Sequence, residues 1–148
     1  FESGAILQHI ADKSEVLMPR DAASRARVIA WMYCALNTIE PSVLNLTVID
    51  LFNHDQDWAK TRRPAELAKV EQRFTALDER LGQQDYLEAG RFSAADILMT
   101  TVLRNLRHCD LVARYPALDA YLKRNEARPA FKRALDSQMA DFKDQAAA

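Results

Sequence analysis

Phe92-Ser93-Ala94-Ala95-Asp96-Ile97-Leu98-Met99-Thr100-Thr101-Val102-Leu103 is the stretch on which the fold turns. Ser93 stands where a helix N-cap belongs. Asp96 follows at the spacing that lets its carboxylate reach back to the Ser93 amide, as in a capping box. Phe92 and Ile97 occupy the two positions of a hydrophobic staple around that box. Beyond it, Ile97, Leu98, Met99, Val102, Leu103 and Leu106 spread round most of the helix axis. A helix that is apolar on every side must be covered on every side. The pattern predicts a central helix ending near His108, with Ile97, Leu98, Val102 and Leu103 deep in the core.

The flanking sequence supplies the elements to cover it. Toward the C-terminus, Tyr115-Pro116 begins a helix with Leu118, Tyr121 and Leu122 turned inward. Pro129 begins a last one, with Phe131, Leu135, Met139 and Phe142 on one face, and Asp144 to Ala148 reads as a fraying tail. Toward the N-terminus, Leu67, Val70, Phe74, Leu77 and Leu81 form a clean helical stripe. Pro64 is expected in its first turn and Gly82 as a left-handed C-cap. Gln83 to Arg91 is a connection. Earlier still, Asp21 opens a long helix carrying Val28, Ile29, Met32, Leu36 and Ile39. Pro41 has no N–H for the Asn37 carbonyl, so that helix should kink or stop near Glu40. Helix resumes through Val43, Leu46 and Ile49, and Asn53 to Asp57 is a loop. A short first helix runs from about Gly4 to Lys13, with Ser3 as its N-cap. The expected fold is all-α, a bundle of six or seven helices around one buried helix.

Composition agrees with a single folded domain. The chain has 148 residues, is 49% hydrophobic and 28% charged, and carries a net charge of -1. A charge so near zero argues against nucleic acid and against a polybasic membrane anchor as partners. The basic residues between Arg104 and Arg133 are interleaved with Asp110, Asp119 and Glu126, which reads as a solvated face. No apolar run approaches the ~20 residues of a membrane span, and no leader is visible. The chain opens on Phe1 instead of Met, which reads as a processed product or a piece of a longer chain. Only 3 glycines punctuate it, too few for the many tight turns of a sheet protein. Cys34 and Cys109 are expected to be reduced, buried thiols of a cytosolic protein. There is no Cys-x-x-Cys, no His-Glu-x-x-His and no glycine-rich phosphate loop, and His9, His54 and His108 each lack a Glu at di-iron spacing. No metal site is expected.

The chemistry-bearing segment is Phe1-Glu2-Ser3-Gly4-Ala5-Ile6-Leu7. A helix N-terminus offers free amides and partial positive charge, a seat for a carboxylate. Ser3 adds a hydroxyl donor and Glu2 a negative charge beside it. An amino-acid end, with one carboxylate and one ammonium, matches that pair. On local physics alone, a plain cap with a dipole-matched surface residue is the better reading.

Four segments in order resemble one family. Phe1-Glu2-Ser3-Gly4-Ala5-Ile6-Leu7-Gln8-His9-Ile10 resembles the Glu-Ser-x-Ala-Ile segment of cytosolic glutathione transferases. Leu17-Met18-Pro19 resembles that family's passage into its helical domain. Phe92-Ser93-Ala94-Ala95-Asp96-Ile97-Leu98 resembles the domain's capping box and staple, and Tyr115-Pro116-Ala117-Leu118 with Arg128-Pro129-Ala130-Phe131 its closing helices. The resemblance implies that residues 1–14 are the last helix of a thioredoxin-like domain, 15–20 a linker and 21–148 the complete all-α domain. It implies that Glu2 and Ser3 hold the γ-glutamyl end of glutathione, a co-substrate and not a resident cofactor. The thiol-activating residue would lie before Phe1, so no catalytic residue is expected in the chain itself. The helix from Asp21 would wall the electrophile pocket, with Tyr33, Asn37 and Glu40 as pocket residues beside the Pro41 kink. Tyr33 as core and Asn37 and Glu40 as surface is the competing reading. The resemblance further implies a cytoplasmic homodimer that covers Ile6 and Ile10 and works in detoxification. Two other functions stay open: a non-catalytic docking module of the same superfamily, and an unrelated helical ligand-binding domain.

Overall fold

The computed structural model describes residues 1–88 and 90–146. Those residues form seven α-helices and no strand: α1 (Ser3–Ala11), α2 (Ala22–Tyr33), α3 (Glu40–Phe52), α4 (Asp57–Leu81), α5 (Ala94–Leu103), α6 (Pro116–Glu126) and α7 (Pro129–Ala146). No helix among them is long and apolar enough to cross a membrane. The expected all-α bundle is the fold observed.

α5 is its axis. Ala94, Ala95, Asp96, Leu98, Met99, Val102 and Leu103 are all buried, as is Leu106 in the 3₁₀ turn that follows. α1, α2, α3 and α6 pack on α5 directly, and α4 closes the outside against α3 and α6. Ile97 is the exception to the expected burial. It is only half-buried, because its side of α5 faces a cavity under α7.

The capping box at the start of α5 is present. The Asp96 carboxylate takes the Ser93 amide at 2.8 Å and the Ser93 hydroxyl at 3.0 Å. It also takes the Leu87 amide at 3.0 Å and the Tyr121 hydroxyl at 2.9 Å, so one side chain pins the 83–91 connection and α6 to the central helix. Burial pushes the Asp96 carboxyl above its ordinary value, against the pull of these four donors. The preceding segment is tied in by the Ala94 amide, which donates to the Leu17 carbonyl at 3.0 Å, next to the buried Met18.

The kink or stop expected near Glu40 takes another form, because the chain stays helical from α2 into α3. It widens into a π-helical turn over Cys34–Ile39, closed by the Glu40 amide donating to the Ala35 carbonyl five residues back. A widened turn lets the helix continue past a residue that cannot make the usual bond. Cys34 lies in this turn, half-buried, and burial pushes its thiol up.

Three expected boundaries are corrected. Pro64 lies inside α4, which starts about two turns earlier at Asp57. Gly82 is the C-cap of α4 with a right-handed φ of -62°, and the glycine with positive φ is Gly90, at 62°. α7 continues to Ala146, past the point where Asp144 was expected to fray, and Ala147 and Ala148 lie outside the described residues.

Candidate functional site

Ser3 is the first residue of α1 and not its cap. The cap position belongs to Glu2, whose backbone has φ 70° and ψ 119°. No other described non-glycine residue has positive φ. This turn brings Ser3 into the helical conformation, one residue earlier than expected. A side-chain-bearing residue held there is strained, and such strain concentrates at ligand clamps.

No side chain caps α1. Its first helical bond runs from the Ile6 amide to the Glu2 carbonyl at 2.9 Å, leaving the amides of Ser3, Gly4 and Ala5 ahead of it. Glu2 and Ser3 are both exposed. Open amides, a hydroxyl and a carboxylate thus share one accessible helix end.

That end is backed by the π-helical turn. A Cβ on Gly4 would stand 2.7 Å from the Leu36 Cδ1, so α1 rests against Leu36 and a side chain here would require that methyl to shift. Tyr33, Asn37 and Glu40 lie within about a turn of Leu36. Tyr33 is 57% exposed, Asn37 is exposed and Glu40 is half-buried. The Gly4–Leu36 contact sets the start of α1 beside the π-helical turn. Tyr33 is surface and not core.

Two features escaped the sequence. One is an ion cluster joining α3, α4 and the end of the α5 segment. Arg63 donates to both Asp50 oxygens at 2.6 and 2.9 Å, and the His108 Nε2 stands 3.5 Å from the same carboxylate. Burial pushes the Asp50 carboxyl up, but Arg63 and His108 outweigh it and hold it below its ordinary value. No motif links residues 50, 63 and 108, so no sequence signal was available. The other is a cavity of about 780 Å³ between α5 and α7, lined by neither Glu2-Ser3 nor the π-turn residues.

Comparison with known proteins gives the family of this fold. The family model described as "Glutathione S-transferase, C-terminal domain" matches residues 32–129. The disulfide-bond oxidoreductase YfcG of Escherichia coli (strain K12) is 28% identical over 141 residues, which are 91% of this chain and 62% of that protein. A glutathione transferase from Burkholderia graminis, solved with two glutathione molecules per subunit, superposes with a TM-score of 0.85. It is 31% identical over 93% of this chain and 60% of its own. A glutathione transferase from Pseudomonas putida, solved with one glutathione disulfide per subunit, gives a TM-score of 0.82 at 28% identity, covering 91% of this chain and 61% of its own. The chain spans about three fifths of the length of these relatives.

Proposed function

The chain belongs to the glutathione S-transferase C-terminal domain family, and from that premise we propose that it is the helical domain of a glutathione-dependent enzyme in which Glu2 and Ser3 hold the γ-glutamyl end of glutathione. The observation that carries this reading is the uncapped start of α1 behind a strained Glu2. A capped helix end would already have used the amides that a carboxylate needs. Here the α-carboxylate of the γ-glutamyl group accepts from the leading amides and from the Ser3 hydroxyl, while its ammonium faces the Glu2 carboxylate.

Activation of the thiol needs a donor that stabilises the thiolate and so lowers its pKa. We assign that donor to no residue of this chain. Tyr33, Asn37 and Glu40 form one wall of the pocket in which the thiolate meets its second substrate. Two reactions suit such a site: attack on a hydrophobic electrophile such as an aryl halide, giving a thioether as the halide leaves, and attack on a disulfide sulfur, which breaks the S–S bond to give a mixed disulfide and release the other sulfur as a thiolate. The likeness to an oxidoreductase of disulfide bonds over 91% of the chain favours the second beside the first. The half-exposed Ile6 and Ile10, at 52% and 51%, suit a homodimer interface. A cytoplasmic detoxification role goes with this reading.

The test is kinetic, on the intact protein that carries this chain. Glutathione consumption is followed with an aryl halide and, separately, with a small disulfide, in the wild type and in Ser3→Ala. Turnover of either substrate, with the KM for glutathione raised more than kcat is lowered, supports the proposal. No turnover of either and no glutathione binding would leave the non-catalytic docking module as the better account.

A further inference from the structure

The first turn of α1 has little of its own to hold it. No side chain caps it, and Glu2 ahead of it sits at a φ of 70°, a conformation that costs energy in a residue with a Cβ. A helix end that is uncapped and strained is prone to fray. Along α1 the residues turned toward the bundle are Gly4, Leu7 and Ala11, at helical spacing, while Ser3, Ala5 and Ile6 are exposed. Leu7 and Ala11 pack against the core. The first turn has only Gly4 to offer, a residue with no side chain.

Leu36 meets it from the other side. The Leu36 Cδ1 would stand 2.7 Å from a Cβ at position 4, so this methyl lies close against the backbone of the first turn. Among the described residues no atom of another element comes within 4 Å of that position. The π-helical turn over Cys34–Ile39 presents Leu36. Ala35 and Ile39 are buried and fill the core side of that turn, while Leu36 is half-buried and reaches aside to α1.

We propose that Leu36 is a positioning residue that keeps the first turn of α1 folded ahead of glutathione. The amides of Ser3, Gly4 and Ala5 are then already aimed when the γ-glutamyl carboxylate arrives. This rests on the reading of that turn as the glutathione seat. Leucine has no group to offer a carboxylate, so its action is on the population of the competent turn. A site folded only part of the time binds with its intrinsic affinity scaled by that fraction. The close approach also couples positions 4 and 36. A methyl at position 4 displaces the leucine side chain, but fills the space left when that side chain is shortened.

The experiment is a double-mutant cycle of Leu36→Ala and Gly4→Ala in the intact protein that carries this chain. Two quantities are read. One is hydrogen exchange of the Ile6 amide, whose bond to the Glu2 carbonyl at 2.9 Å closes the first turn. The other is glutathione affinity by titration calorimetry. Leu36→Ala should speed exchange at Ile6 far more than at Val102 of α5. It should weaken glutathione binding about tenfold and leave kcat at saturating glutathione nearly unchanged. Leu36→Met, which keeps the volume, should restore both. Gly4→Ala should improve binding more in the Leu36→Ala background than in the wild type. Far-UV circular dichroism checks folding, and Leu36→Val carries the comparison if Leu36→Ala does not fold. Unchanged glutathione affinity in the folded Leu36 variant, or an additive cycle, would overturn the role of Leu36 while the glutathione seat stands. Wild-type protein that binds no glutathione would overturn the seat and this role together.

Discussion

Asp96 accepts four hydrogen bonds with one carboxylate, and among the described residues no other side chain joins so many parts of the chain. Its bond to Ser93 was legible in the Ser-x-x-Asp spacing. Its bonds to the Leu87 amide and the Tyr121 hydroxyl were not, because they cross 9 and 25 residues and no local pattern encodes them. Asp96→Ala therefore removes more than a cap. Stranding several buried donors costs about 1–3 kcal/mol each before relaxation, so a loss of at least ~3 kcal/mol is expected in urea unfolding, with slower refolding. Asp50 makes a different prediction. Its pKa is lowered on folding from 3.8, so its stabilising effect is present above that value and is lost as pH falls below it. Asp50→Asn should cost about 1 kcal/mol at neutral pH, discounted because Arg63 is partly in solvent. The gap to wild type should close below pH 3.8 in acid titrations of stability. A gap independent of pH would remove the charge from the explanation.

At the scale of the element, proline was the least readable residue. Pro64 can begin a helix or interrupt one, and local pattern favoured the beginning. Tertiary contacts decide otherwise. Arg63 pairs with Asp50 on α3 and Ala59 is fully covered, so the two turns before Pro64 are held helical from outside. The proline still forfeits one backbone bond. Pro64→Ala should stabilise the protein by about 1–3 kcal/mol in chemical denaturation, with no change in helix boundaries. Pro41 was legible as a disturbance, but its form was not. Whether a helix breaks, kinks or widens depends on what its far half packs against, and here Val43, Leu46 and Ile49 hold α3 on the core. At the start of α1 the error ran the same way. Ser3 looked like a cap by residue type, while the strained Glu2 that displaces it is a backbone event no composition announces.

For the whole molecule, the bundle was readable because α5 is apolar on all sides and must be surrounded. The cavity under α7 was not readable, because Met139 and Phe142 complete a proper stripe whether or not they reach the core. The same ambiguity surrounds Ile6 and Ile10, which an amphipathic helix could turn to its own core or to a partner. The proposed pairing predicts that the intact protein sediments as a dimer at micromolar concentration, and that Ile6→Glu with Ile10→Glu yields a folded monomer.

The central claim is that the start of α1 receives the γ-glutamyl end of glutathione. Proton–nitrogen correlation spectra of the chain, recorded while glutathione is added, test it directly, since they register even weak binding residue by residue. The account predicts saturable shifts centred on the Ser3, Gly4 and Ala5 amides. It predicts a roughly tenfold or greater loss of affinity in Ser3→Ala, and no such shifts with cysteinylglycine, which lacks the γ-glutamyl group. Shifts centred elsewhere, or the same response to cysteinylglycine, would contradict it.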